Sequence, residues 1–270
     1  GLIRKSTSKT VSPLVLVKKG DSFRVTQDVS LLNESFVTIR GFIPFTKEII
    51  NNLGSKNFYS EFDMWRCYHQ FSTSDNLCSL YAFSTPNGVF EWNNRLPLGD
   101  KNIPVFIHMK LTEIFRDLPF VSVYFDNFII ADDNEESHLE HIKLFLKRCE
   151  EVNIKLSALK CNVAQFTINV LGYSLCKNGY IPTDTLREKF LNMPFPTVKT
   201  IRSWIGLLNV FRSSINGLHH IEKVFSSMRK KDVLNFEITA EIEQAVQKAR
   251  EAVANLPLLS FIDDDRPLFL

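Results

Sequence analysis

No run in this chain approaches the ~18 consecutive apolar residues of a membrane-spanning helix. The amino end shows no signal peptide, so the expectation is an intracellular protein, cytoplasmic or nuclear, with no membrane partner. Five cysteines, Cys67, Cys78, Cys149, Cys161 and Cys176, are scattered without a C-x-x-C pair. That spacing argues against both a zinc site and a disulfide framework, and the thiols are expected to be buried. Charge of one sign is also in short supply, with 32 Lys/Arg against 30 Asp/Glu and a net charge of +2.

The composition of the 270 residues is that of a globular chain with ample core: 44% hydrophobic, 12% aromatic and 23% charged. Twenty-three phenylalanines point to large packed layers, divided into two or three subdomains. The charges are unevenly distributed. Residues 1–60 hold nine Lys/Arg against four Asp/Glu, residues 61–140 five against thirteen, and residues 141–270 eighteen against thirteen. Basic flanks around an acidic centre suit a nucleic-acid cleft with a metal-binding floor, and solvated surface charge produces the same imbalance.

The acidic centre contains the stretch Val121-Ser-Val-Tyr-Phe-Asp-Asn-Phe-Ile-Ile130, two short β-rich runs meeting at Asp126-Asn127. It predicts a tight hairpin with the polar pair at its tip and Val121, Val123, Phe125, Phe128 and Ile130 on the packed side. By itself, Asp-Asn is ordinary turn chemistry. A second strand, Asn57 to Met64, alternates Phe58, Ser60 and Phe62 with Tyr59, Glu61 and Asp63. Carboxylates brought together from two strands repel unless a divalent cation lies between them, the arrangement of two-metal phosphoryl-transfer sites.

Several further elements are legible. Residues 12–25 read as two strands joined at Gly20-Asp21, with Lys18 and Lys19 at the mouth. A helix is expected from Thr46 to a stop at Gly54, and a strand, turn and strand over 80–92 around Pro86-Asn-Gly88. Pro104 opens a helix running to about Asp117. Asn134 or Ser137 caps another, with Leu139, Ile142, Leu146 and Cys149 inward. His138-x-x-His141 has metal-like spacing, but nothing nearby supplies two further ligands, and it is not read as a metal site. Residues 166–175 form a strand pair, and helices follow from Pro196 and over 240–255 before a last strand near 257–262.

Together, the Tyr-x-Asp hairpin, Phe62-Asp63-Met64 followed by Tyr68-His69-Gln70, and Val170-Leu171-Gly172-Tyr173 resemble the reverse transcriptases of gypsy-type LTR retrotransposons. The resemblance is collinear over the chain. It implies an α+β right-hand polymerase fold: fingers over 1–56 with parts of 64–92, palm over 57–180, thumb and connection over 181–256, and the start of an RNase H-like region over 257–270. The chain begins without Met inside a family element and ends where the RNase H domain starts, so it is expected to be an excised fragment.

The resemblance also implies roles. Asp63 and Asp126, with the Met64 carbonyl, would hold two Mg²⁺ (or Mn²⁺) ions, Asn127 standing where the family has a third carboxylate. Arg24 with Lys18 or Lys19 would meet the nucleotide triphosphate, and Tyr68 the sugar. Leu171, Gly172 and Tyr173 form the primer grip, and Gly206, Asn209 and Arg212 the thumb contact to nucleic acid. His108, where the family has Gln, is expected to be a surface or groove residue, and His138 and His141 to lie on the exterior.

The departures from the family pattern fall on groups that serve chemistry or substrate: Asn127, Ser30, Arg66 with Cys67 under the sugar, Asp100 and Ser213. They imply a domesticated reverse-transcriptase domain, silent or strongly impaired, kept as a nucleic-acid- or protein-binding module without a cofactor. The alternative is an active, Mg²⁺-dependent RNA-directed DNA polymerase acting on a template–primer.

Overall fold

The computed structural model describes residues 1–20, 22–197, 199–225 and 239–262. Two compact units emerge, Gly1–Ile49 with Phe58–Gln165, and Ile50–Asn57 with Phe166–Leu270. These divisions differ from the expected boundaries after residues 56 and 180, because the acidic strands share one unit with the amino-terminal hairpin, while the sheet over 167–182 belongs with the carboxy-terminal helices. The described residues stop at 262, so most of the expected RNase H-like start lies outside them.

In chain order the first unit contains β1 (Ile3–Lys5), β2 (Leu14–Lys19), β3 (Ser22–Gln27), α1 (Ser30–Ser35) and the start of α2 (Thr46–Leu53). It continues with β4 (Phe58–Asp63), α3 (Asp75–Leu80), β5 (Phe83–Thr85), β6 (Gly88–Trp92), α4 (Ile103–Ile114), β7 (Val121–Tyr124), β8 (Asn127–Asp132), α5 (Glu135–Glu151) and β9 (Asn162–Gln165). The central sheet runs β7-β8-β4-β9, all antiparallel. Its middle strand β8 buries Phe128, Ile129 and Ile130 completely. Against it pack Phe62 of β4, Phe115 at the end of α4 and Phe145 of α5, with ring centroids 4.8–5.4 Å apart. Burying each such ring contributes about 1.5–3 kcal/mol, which makes this cluster the anchor of the sheet.

The helix α5 corrects its expected inward face. Asn134 caps it, its side chain accepting from the Ser137 N–H at 2.9 Å, but the buried residues are His138, Ile142, Phe145 and Cys149. Leu139 and Leu146 are exposed. The helix is rotated by about one residue from the apolar reading because His138 is drawn inward by polar partners on the sheet.

The second unit begins with the rest of α2, closed by the Gly54 N–H on the Ile50 carbonyl at 3.2 Å. Strands β10 (Thr167–Val170), β11 (Tyr173–Cys176) and β12 (Gly179–Pro182) form an antiparallel sheet in that order. Among the described residues four α-helices follow, α6 (Asp184–Leu191), α7 (Ile201–Leu208), α8 (Leu218–Val224) and α9 (Ala240–Ala254). Phe190, Trp204, Phe211 and Phe225 are fully buried at their centre. The last expected strand reduces to a single bridge, Leu259 to Tyr180.

Candidate functional site

The acidic hairpin differs from its expected register by one residue. Its two turn residues are Phe125 and Asp126, and Asn127 opens β8 opposite Tyr124. Phe125 adopts φ +53°, a left-handed conformation that costs a bulky L-residue about 1–2 kcal/mol. The turn is held from α4: His108, buried at 3% exposure, accepts the Phe125 N–H at Nδ1 at 3.3 Å, and the two rings lie 5.6 Å apart. An accepting Nδ1 requires an unprotonated nitrogen, and burial lowers the pKa of His108. His108 is therefore a buried support of the turn, not a surface histidine, although it does line a groove beside Met109 and Phe42.

The ladder sets Asp63 opposite Asn127, and the Met64 N–H donates to the Asp126 carbonyl at 3.0 Å. Asp63, Asp126 and Asn127 are thus brought together at one end of the sheet. Cys67 lies beside them: burial first, then the charges of Asp126 and Asp63, push its thiol up to about 12. Glu61, two residues before Asp63, is half-buried, and its pKa is raised chiefly by burial and further by the Asp63 charge, with a hydrogen bond from Asn162 acting against both. Cys67, Tyr68, Phe125 and Asp126 line one small cavity together with Pro104 and Ile107.

A cation missed in the sequence completes the arrangement. Lys160 Nζ lies 2.9 and 3.1 Å from the two oxygens of Asp63, whose side chain is 17% exposed. Lys160 is carried by the turn before β9, which is tied down by the Ser157 N–H on the Asp63 carbonyl at 2.8 Å. No sequence signal links residues 97 positions apart, so this pair is legible only in the fold.

Arg66 departs from expectation. Its guanidinium lies over the Trp65 ring, 4.8 Å from the centroid, and it lines a separate groove, leaving Cys67 alone at the Tyr68 cavity. Lys18 is exposed near the end of its hairpin. The side chains of Lys19 and Arg24 lie outside the described residues.

His138 and His141 are not exterior either. Asp132 bridges them, one oxygen 2.7 Å from each Nδ1, and His138 Nε2 lies 2.8 Å from Ser60 Oγ. The Ser60–His138–Asp132 line has the spacing of a hydrolytic triad, but Ser60 is fully buried and its Oγ also accepts the Ala164 N–H at 2.9 Å. The network is a pin joining β4, β8, β9 and α5. Among the described residues no group of three or more His, Cys, Asp and Glu is arranged to hold a metal ion.

In the second unit, Leu171 and Gly172 form the two-residue turn between β10 and β11. Tyr173 is buried, its hydroxyl donating to the Val210 carbonyl at 3.2 Å, so of the expected primer grip only the first two residues form the tip. Gly206, Asn209 and Arg212 share the exposed side of α7 and the turn after it. Arg212 is already engaged by Asn209 Oδ1 and by the Glu222 carboxylate at 2.6 Å.

Comparison with known proteins identifies the scaffold. A family profile described as reverse transcriptase (RNA-dependent DNA polymerase) matches residues 16–175. The chain belongs to the reverse transcriptase family. Among curated relatives it is 30% identical to the retrovirus-related Pol polyprotein from transposon 297 of Drosophila melanogaster, over all of this chain and 26% of that polyprotein. It is 24% identical to the transposon Tf2-7 polyprotein of Schizosaccharomyces pombe, again over the whole chain and 20% of the relative. The chain thus spans about a quarter or less of the polyproteins it matches. Among solved structures it is similar to the foamy viral protease-reverse transcriptase in complex with RNA/DNA hybrid, with a TM-score of 0.87 and 23% identity over 99% of this chain and 36% of that one. A form in complex with double-stranded DNA gives 0.89 at 22% identity, over 98% of this chain and 47% of that one. The fold is that of the reverse transcriptase polymerase region, as the resemblance implied.

Proposed function

We propose that this reverse transcriptase domain descends from a gypsy-type LTR retrotransposon, that its nucleotidyl-transfer centre is silent or strongly impaired, and that it is retained as an intracellular nucleic-acid- or protein-binding module. The observation that carries this reading is the state of Asp63. Asp63, one of the carboxylates gathered at the hairpin among the described residues, is paired with Lys160, and the residue opposite it is Asn127. Asp63 and Asp126 with the Lys160 ammonium leave a net charge of about −1 at the hairpin tip itself, where a pair of divalent cations would bring +4. That donor set does not fit a two-metal centre, whose protein ligands must offset the ions' mutual repulsion. Losing one preorganised charged group commonly lowers turnover by about 10²–10³-fold.

Nucleic acid is the favoured ligand. The basic flanks, the exposed face of α7 and the complexes of the similar foamy viral proteins with hybrid and duplex support it. Fingers, palm and thumb are the natural labels for the hairpin β2–β3, the acidic sheet and the carboxy-terminal helices.

Primer extension on an RNA template with Mg²⁺ or Mn²⁺ tests the reading. The unaltered chain and Asn127→Asp are both expected to give no extension, since the revertant leaves Lys160 on Asp63. Robust extension by the unaltered chain, abolished by Asp63→Ala, would overturn the proposal in favour of an active RNA-directed DNA polymerase.

A further inference from the structure

The segment that follows α1 is tied across the start of α4. Asn33 donates through Nδ2 to the Gly99 carbonyl and accepts the Lys101 N–H at Oδ1, both at 2.9 Å. Lys101 Nζ donates to the Phe36 carbonyl at 2.7 Å. Asn102 donates through Nδ2 to the Val37 carbonyl and accepts the Ile39 N–H at Oδ1, both at 2.9 Å. Against this strap lies a cavity of about 360 Å³. Exposed Val37, Ile39 and Phe106 form its mouth, and buried Leu96, Ile103 and Tyr81 its deeper wall. Mostly apolar walls with a few fixed polar groups, at ~300–1,000 Å³, are the make-up of a small-molecule site.

Asp100 also lines the cavity and gives it its polarity. Glu91, Asp100 and Asp132 are the buried carboxylates among the described residues. Arg4 meets Glu91, and the imidazoles of His138 and His141 meet Asp132. Asp100 takes hydrogen bonds from the Tyr81 hydroxyl and, at 2.6 Å, from the Asn102 N–H, but no Lys, Arg or His among the described residues forms an ion pair with it. Lys101, next in the chain, turns its ammonium to the Phe36 carbonyl instead. Two hydrogen bonds leave about two of the carboxylate's roughly four lone-pair sites unused. A buried charge without a counter-charge is costly, and a cation delivered by a ligand offsets that cost through a charge-assisted hydrogen bond.

We propose that this cavity binds a small aromatic amine, its ring held by the apolar wall and its ammonium on Asp100. Size and charge set the class. An apolar cavity of ~150 Å³ holds one benzene ring, so about 360 Å³ admits a fused bicyclic ring with a short alkyl arm. A neutral ring would leave Asp100 without a counter-charge, and an anion would be repelled by it. The site uses neither Asp63 nor Asp126, so it stands apart from the state of the nucleotidyl-transfer centre.

Tryptamine, an indole with an ethylammonium arm, and tryptophol, the same ring with a neutral hydroxyl, separate charge from shape. In calorimetric titration of the full chain at neutral pH, tryptamine is expected to bind at least about tenfold tighter than tryptophol, and the preference should persist in added salt because the pair is buried. Asp100→Asn should bring the two ligands to equal affinity, whereas Glu140→Gln, which removes an exposed acid of α5, should leave their ratio unchanged. Leu77→Trp, which fills the cavity from α3, should weaken both ligands about tenfold or more, a readout that leaves Asp100 intact. Thermal melts by circular dichroism verify that the variants are folded. Hydrogen exchange locates the ligand: tryptamine should protect residues 33–39 and the first turn of α4. Tryptophol binding as tightly as tryptamine, a preference unchanged in folded Asp100→Asn, affinity unchanged in folded Leu77→Trp, protection confined to other segments, or no tryptamine binding at millimolar concentration would overturn the site.

Discussion

At the residue scale, the hairpin turn concentrates both strain and its remedy in two side chains. Phe125 holds a left-handed backbone, and His108 accepts its N–H from a buried imidazole. His108→Leu removes the acceptor and leaves a partly buried N–H without its partner, which should cost about 1 kcal/mol in urea unfolding. The natural chain also carries a pH signature. Burial lowers the folded pKa of His108 from 6.5, so as pH falls below that value the unfolded state takes up the proton first. Stability therefore declines below about pH 6.5 and levels once the folded imidazole also protonates. Denaturant midpoints from pH 7.5 to 5 should show that decline, and His108→Gln, which keeps an acceptor without a titrating group, should flatten its share of it. Asp100 makes a similar case. It accepts from the Tyr81 hydroxyl and, at 2.6 Å, from the Asn102 N–H, while being only 6% exposed. Burial and the Asp100 carboxylate together raise the Tyr81 pKa. Asp100→Leu alone should lose about 1–3 kcal/mol by stranding the Tyr81 hydroxyl, and Tyr81→Phe in the same chain should recover much of it.

At the scale of elements, most of the order of strands and helices was legible because alternation and turn residues are local signals. The hairpin over 121–130, the Gly54 stop and the helix over 240–254 follow from them. What escaped was decided by partners distant in sequence. The hairpin register moved by one because Asp63 pairs with Asn127 across β4 and β8. The inward face of α5 moved because Asp132 and Ser60 engage His138. Lys160 was invisible as a partner of Asp63 for the same reason. The glycines of β10–β12 allow a test of how tightly these elements are built. A Cβ at Gly172 would meet Leu186 Cδ1 at 2.8 Å, the far end of a side chain that can turn away. At Gly179, φ +145°, it would meet the Leu259 carbonyl oxygen at 2.2 Å, which is backbone and is bound to Tyr180. Gly179→Ala should therefore cost about 3 kcal/mol or more, and Gly172→Ala clearly less. Equal losses in chemical denaturation would contradict the claim that the Leu259 segment is fixed against β12.

Over the whole molecule, the two units have separate cores. The buried cluster around Phe62, Phe128 and Phe145 draws only on residues 62–149, and that around Trp204 only on residues 190–253. Among the described residues no buried residue belongs to both clusters, so a cavity in one is expected to loosen that cluster first. Trp204 is fully buried between Phe190 and Phe225, at 5.0 and 5.1 Å, and its indole nitrogen has no hydrogen-bond partner among the described residues. Trp204→Ala should cost about 3–5 kcal/mol, whereas Trp204→Phe should lose much less, because it retains an aromatic ring and removes an unpaired donor. Hydrogen exchange followed by mass spectrometry reads the location of the loss. In Trp204→Ala, faster exchange is expected across α6–α9, with protection retained in β4, β8 and α5. Loss of protection spreading evenly into β8 would mean that the chain unfolds as one cooperative body, and the two-core description would be wrong.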